Sequence, residues 1–370
     1  MTILSVRLHL VELPLVRPFR TSFGTSTTRQ LLVLRLETET GVGWAECAAD
    51  PEPLYSAEFL TGASLVLRDH LLPRLLAWPD LDAAHVGTAL AAVTGHPMAK
   101  HVLETAVLDA ECRAQGQSFG ERLGATRTHV PAGVSVGIAD DLPALLTEVE
   151  GYLAAGYQRI KLKIEPGWDL APVAAVCRAF GDVPLQVDAN AAYTAGDLAH
   201  LARLDDFALL LVEQPFGEDD LVTHARAADL WSTPVCLDES IGSTHDLQTA
   251  LALGACQVVN VKPSRVGGYL EAVRIHDLAV AHGVPVWCGG MLETGIGRSA
   301  NLALAALPGF TLVGDVSASR RYYRQDLTEE LVLRDGQIAV PTGAGTGLEV
   351  DETVLADLST SVVELVGAPA

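Results

Sequence analysis

The chain is short of basic residues, has no patterned cysteines and lacks long apolar runs, and each shortage removes a class of function. Only 25 lysines and arginines stand against 46 aspartates and glutamates in 370 residues, for a formal net charge of −21 and a pI near 4.8. Such a surface repels nucleic acid and anionic lipid, so neither nucleic acid nor membrane is expected as a partner. Six cysteines, at positions 47, 112, 177, 236, 256 and 288, form no CxxC pair. That spacing excludes a zinc ribbon and argues for reduced thiols over a disulfide framework. No charged leader with an apolar core opens the chain, and no apolar run reaches membrane-spanning length. A cytoplasmic protein is the expectation.

What the chain does have is apolar content and a beat. Hydrophobic residues make up 49% of it, enough for a large core, and the length suggests about two domains. Lys163, Asp188, Glu213, Asp238 and Lys262 follow one another at gaps of 25, 25, 25 and 24 residues. Each ends or directly follows a short β-branched run: Arg159–Ile164, Leu185–Asp188, Leu209–Glu213, Val235–Asp238 and Val258–Lys262. About 25 residues is one strand, one helix and two turns, so the beat reads as a repeated βα unit. In a (β/α)8 barrel all strands end on one face, where active sites are built. The expected fold is therefore α/β, a modified TIM-type barrel with eight strands, carrying an α+β capping domain.

Three regions separate along the chain. Residues 1–128 read as the capping domain: strands over Ile3–Leu10 and Gln30–Glu37, then helices between about 57 and 116 broken at Pro73, Pro79 and Pro97. Between the two strands, residues 17–28 read as a polar lid loop carrying Phe19 and Phe23. Residues 129–320 read as the barrel, with helices over Leu142–Ala155, Trp168–Phe180, Asp220–Ser232 and Tyr269–His282. Residues 321–370 return to hairpin character and are expected to pack on the first domain.

The carboxylates have a bland reading, since Asp188 and Asp238 could each cap a helix. That reading leaves Glu213 unexplained, because a charge closing the apolar run LLLVE is costly unless paired or bound to metal. Three acids on adjacent strand ends repel one another unless a divalent cation lies between them. Oxygen-only ligation favours a hard ion, Mg²⁺ first and Mn²⁺ second. In Lys161-Leu162-Lys163 the strand period of two sends both ammoniums to the same face. Crowded lysines beside a cation lose basicity, and a neutral lysine serves as a general base. Lys163 and Lys262 are then placed to face each other across the mouth. The expected chemistry is removal of a proton next to a carboxylate through an enediolate, with the lysines as acid and base. A non-catalytic barrel would be expected to have lost at least one of the five residues, and none is lost.

The stretches KLKIEPGWD, VDANAAYT, LLLVEQPF, CLDESI, VNVKPSRVGGYLEA and PVWCGGMLETGIGRSA resemble the enolase superfamily over nearly the whole chain. They look like the subgroup of muconate-lactonising enzymes, and within it most like N-succinylamino acid racemase / o-succinylbenzoate synthase. The resemblance implies Asp188, Glu213 and Asp238 as Mg²⁺ ligands (with Mn²⁺ or Co²⁺ as substitutes), Lys163 and Lys262 as the acid/base pair, and Lys161 as an electrostatic helper. It implies an N-acylamino acid or succinylated carboxylate substrate and a homo-oligomer, possible as an octamer. The strand-seven ending Trp287-Cys288-Gly289 lacks the histidine of mandelate-racemase-type enzymes. Asp315-Val316-Ser317 lacks the second acid by which dipeptide epimerases hold a substrate ammonium. Muconate cycloisomerisation shares the lysine pair and stays open as the alternative. Ser135, Asn190, Gly290 and Met291, with Phe19 and Phe23, are the candidate substrate-binding residues, and Gly295 is a further pocket candidate. Arg265 is read as positioning Lys262 or lying on the surface. His276 and His282 read as surface or helix-end residues, and Asp50 and Glu52 as solvated charge.

Overall fold

The computed structural model describes residues 1–366, which form a four-stranded antiparallel sheet, a parallel barrel sheet and a small two-stranded sheet pairing Gln337–Ala339 with His129–Pro131. The first sheet is a long hairpin, β1 (Ile3–Thr21) and β2 (Gly24–Thr38), followed by β3 (Gly41–Cys47). A final strand, Ser359–Val366, pairs antiparallel with β1. The loop expected over residues 17–28 is instead the far end of this hairpin, which turns between Thr21 and Gly24. Its polar, glycine-containing sequence shows no apolar alternation by which a strand is recognised. Pro14 still pairs opposite Thr28, the register then shifts across a bulge that takes in Pro18, and pairing resumes at Phe19 opposite Ser26.

The inner face of this sheet packs on α1 (Pro97–Gln115), whose residues from Met98 to Cys112 are mostly buried. The approach is closest at Gly43, where a Cβ would stand 1.9 Å from the Ala106 carbonyl oxygen. Only a residue without a side chain lets the strand lie so near the helix backbone.

Barrel strands follow in order: β4 (Gly133–Val136), β5 (Arg159–Lys163), β6 (Leu185–Asp188), β7 (Val212–Glu213), β8 (Val235–Leu237), β9 (Val258–Val261) and β10 (Val286–Cys288). Each pairs in parallel with the next, giving a seven-stranded sheet. Their connections include α2 (Leu142–Ala154), α3 (Leu170–Phe180), α4 (Leu221–Leu230), α5 (Thr244–Leu253), α6 (Tyr269–Ala281) and, after β10, α7 (Gly295–Ala305). Asp141, Asp169, Asp220, Ser243 and Thr294 cap five of these helices through side-chain acceptors. The expected eighth strand is reduced to a bridging segment. Gly314 pairs only with Ala132, and Asp315 N–H donates to the Cys288 carbonyl at 2.9 Å. At Gly314 a Cβ would stand 2.6 Å from that same carbonyl oxygen, so the backbone closes the barrel at a distance that no regular strand residue tolerates.

His276 departs from its surface assignment. It is buried, stacks on Phe310, and its Nε2 accepts from Gly309 N–H at 3.0 Å. Among the described residues no helix is long and apolar enough to cross a membrane.

The two units join through Glu46 of β3, whose buried carboxylate accepts from Thr294 N–H at 3.1 Å and from the Thr294 hydroxyl. Burial pushes Glu46 up to about 8, against the Thr294 hydrogen bond and with help from Glu293 and Asp326. Its protonated form therefore stabilises the folded chain fully below about pH 4.3, the unfolded value for glutamate. That contribution is lost as pH rises through about 8. Thermal stability is expected to fall from pH 5 to pH 9, and Glu46→Gln, which keeps an acceptor for Thr294, to flatten that slope. Equal slopes in melting curves of the two proteins would refute the assignment.

Candidate active site

Strand register sets the site. Lys163 lies beside Asp188 across the β5/β6 ladder, and Asp188 beside Glu213 across β6/β7. Asp238 and Lys262 each follow directly on the last residue of their strands. Asp188, Glu213 and Asp238 are fully buried, and Lys161, Lys163 and Lys262 nearly so. Neither Asp188 nor Asp238 caps one of the barrel helices. Asp188 instead accepts from Asn190 N–H at 3.0 Å, and Asp238 from Lys262 and Arg265.

The three lysines have different partners. Lys161 Nζ lies 3.1 Å from Asp188, 3.0 Å from Glu213 and 2.7 Å from Asp315. Its ammonium also sits 4.8 Å from the centre of the Trp287 ring. Burial works against that charge, but Asp315, Glu213 and Asp188 raise Lys161 well above its ordinary value, so it is a fixed cation. Lys163 Nζ contacts Asp188 at 2.7 Å and Asn190 Oδ1 at 2.6 Å. Here burial prevails over Asp188, with Lys161 adding repulsion, and Lys163 is lowered. Lys262 Nζ contacts Asp238 at 2.7 Å and the Tyr55 hydroxyl at 3.0 Å. Arg265 is not a surface residue. It is buried and grips the Asp238 carboxylate as well as the carbonyls of Ile241 (2.9 Å) and Asn260 (2.7 Å).

A pocket opens above these groups. Phe19, Phe23, Ser135, Asn190, Gly290 and Met291 all line it, as do Lys161, Lys163 and Lys262. Ser135 Oγ is buried with no protein partner, leaving a hydrogen-bonding group free for a ligand. Gly295 does not line the pocket; it opens α7 and its N–H donates to Asp326. The hairpin end is docked on the barrel mouth through Arg20 to Glu165 (2.8 Å), Ser22 to the Ala189 carbonyl (3.2 Å) and Ile138 N–H to the Arg20 carbonyl (2.9 Å).

Sequence reading missed some pocket residues, Tyr55 and Tyr322 among them, and gave Asp50 and Asp315 other surroundings. Tyr55 comes from the capping domain, in the loop between β3 and the next helix, and nothing in its local pattern marks it. Asp50 is paired with buried Arg29 and lines the pocket, so it is not simply solvated charge. Asp315 pairs with Lys161 and, at 2.8 Å, with Arg159. Both partners are cationic, so Asp315 is already engaged and ill placed to hold a substrate ammonium.

Among the described residues, no three acidic, histidine or cysteine side chains are gathered closely enough to hold an ion as they stand. The Lys161 ammonium bridges Asp188 and Glu213 instead. The donor set nevertheless fits a hard cation. Burial and the neighbouring Asp188 charge raise Glu213, so the acids need positive charge between them. Their ligand atoms are all oxygen, the set that magnesium-like ions take.

Residues 144–354 match the family described as enolase C-terminal domain-like, and residues 4–124 match the mandelate racemase / muconate lactonizing enzyme N-terminal domain. An N-succinylamino acid racemase from an Amycolatopsis species is 57% identical over 98% of this chain and 99% of its own. An o-succinylbenzoate synthase from Geobacillus kaustophilus is 45% identical over 94% of this chain and 93% of its own. The crystal structure of an enolase-superfamily member from Enterococcus faecalis V583 superposes with a TM-score of 0.92 at 41% identity, covering 99% of both chains. The chain belongs to the enolase superfamily.

Proposed function

We propose that the protein racemises N-succinylamino acids by removing and returning the proton α to the carboxylate. The observation that carries this reading is the pair of buried lysines, Lys163 and Lys262, opening on one pocket from strands β5 and β9. Burial lowers Lys163 below the ordinary lysine value, and it serves as the base. Lys262 stands ready to return a proton to the opposite face. Lys161, held cationic, faces the substrate carboxylate and opposes charge build-up there. Ser135 Oγ is available to the acyl group. Phe19 and Phe23 cover the pocket and keep water from the carbanion. Asp188, Glu213 and Asp238 would hold a divalent ion, Mg²⁺ by donor chemistry with Mn²⁺ or Co²⁺ as substitutes. When bound, that ion supplies positive charge against the negative charge developing on the carboxylate.

The similarity to an o-succinylbenzoate synthase favours a second reaction in the same pocket. There Lys163 removes the proton, water leaves, and Lys262 stabilises the enolate without transferring a proton.

Proton NMR of N-succinyl-L-phenylalanine in D₂O with enzyme and Mg²⁺, followed by chiral analysis, tests the reading. Loss of the α-proton signal with conversion to the D-enantiomer is expected. Exchange without inversion would leave only one working lysine and favour the synthase. No exchange at all would sink the N-succinyl reading and make muconate lactonisation the next reaction to assay.

A further inference from the structure

Lys163 and Lys262 are held in parallel ways. Each contacts one carboxylate oxygen that another side chain also approaches, and one neutral oxygen. Lys163 shares Asp188 Oδ2 with Lys161 and has Asn190 Oδ1 as its neutral partner. Lys262 shares Asp238 Oδ2 with Tyr55 and has the Tyr55 hydroxyl as its neutral partner. The difference lies in where those partners come from. Asn190 belongs to the barrel and is fixed there by its own Nδ2 bond to Glu239 at 2.9 Å. Tyr55 belongs to the capping domain, and its ring packs against Phe23 at the tip of the hairpin, 6.1 Å between centroids.

We infer that Tyr55 is the positioning residue of Lys262 and that it ties proton transfer on that face of the substrate to docking of the hairpin. Two properties of the side chain carry this. First, its ring centroid lies 4.7 Å from the Lys262 ammonium, within cation–π range, so ring and hydroxyl together aim the Nζ atom. Second, a hydroxyl both accepts and donates, whereas a carboxylate only accepts. The Tyr55 hydroxyl accepts from Lys262 at 3.0 Å and donates to Asp238 Oδ2 at 3.4 Å, so it spans the ammonium and the carboxylate beside it. Asn190 Oδ1 only accepts from Lys163. The two faces of the substrate are therefore governed differently, one by the barrel and one by the capping domain. The inference rests on the racemisation proposed above.

The test uses initial rates of α-proton exchange in D₂O, measured separately for the L and D enantiomers of N-succinylphenylalanine. Lys163→Ala and Lys262→Ala assign each enantiomer to its lysine. In Tyr55→Phe, which keeps the ring and removes the hydroxyl, the ratio of the two rates is expected to shift about tenfold against the Lys262 face, as for loss of one hydrogen bond to a charged group. Tyr55→Leu should shift it further. Phe23→Ala should move it the same way, and Asn190→Ala the opposite way. Because the readout is a ratio, a variant that merely folds poorly lowers both rates together. An unchanged ratio in Tyr55→Phe, or a loss confined to the Lys163 face, would overturn the inference while the racemisation stands. A wild-type protein that exchanges neither enantiomer would bring down both.

Discussion

Lys163→Ala is expected to lower α-proton exchange on the face that Lys163 serves by about 10³-fold or more, the range a positioned general base contributes. The substitution removes an amine whose basicity burial has already lowered. No neighbouring group can take its place. Lys161 is held as a fixed cation by Asp315, Glu213 and Asp188, and Lys262 is bound to Asp238 and Tyr55. The fold should tolerate the change, because Asp188 keeps Lys161 at 3.1 Å and the Asn190 N–H at 3.0 Å. KM should move far less than kcat, since substrate carboxylate recognition falls to other groups. Exchange followed by NMR, alongside a thermal melt, separates the outcomes. A variant that melts like the wild type yet retains more than a tenth of its exchange on that face would remove Lys163 from the base role.

Much of this site was legible from one regularity. The beat from Lys163 to Lys262 survives folding because each βα unit of a barrel advances the chain by a near-constant length, so sequence period becomes position on one face. The pocket residues Ser135, Gly290 and Met291 were readable for the same reason, lying at strand ends or just beyond. What stayed hidden depends on contacts between distant segments. Tyr55 reaches Lys262 across 207 positions of sequence, and no local pattern encodes that meeting. Arg159 and Asp315 form their pair only when the segment after β10 closes against β5, more than 150 residues earlier in the chain. The hairpin end was read as a loop because it is polar and contains glycine, and only the cross-strand pairing from Phe19 opposite Ser26 to Thr21 opposite Gly24 reveals the strands. Lys161 was legible as a residue of the mouth, but its bridge between Asp188 and Glu213 was not, since it depends on side-chain reach.

That bridge frames the second large effect expected, the response to a divalent ion. Chelation should abolish turnover, and Mg²⁺ added back to chelated protein should raise the melting temperature by several degrees. An ion that binds only the folded state adds about 2.7 kcal/mol at a hundredfold excess over its Kd. Glu213→Gln distinguishes a ligand from a structural acid, because the two roles predict opposite behaviour. Glu213 is raised by burial and by the nearby Asp188 charge, so its ionised form is a liability in the metal-free fold. The glutamine retains an acceptor for Asn260, now 2.6 Å from Glu213 Oε1, and Lys161 keeps Asp188 and Asp315. Metal-free Glu213→Gln should therefore melt at or above the metal-free wild type, while gaining little from Mg²⁺ and losing turnover. If Glu213 served only to neutralise Lys161, the variant would melt lower, and the wild type would show no Mg²⁺-dependent rise. A Glu213→Gln protein that Mg²⁺ stabilises as much as it does the wild type would exclude Glu213 as a ligand.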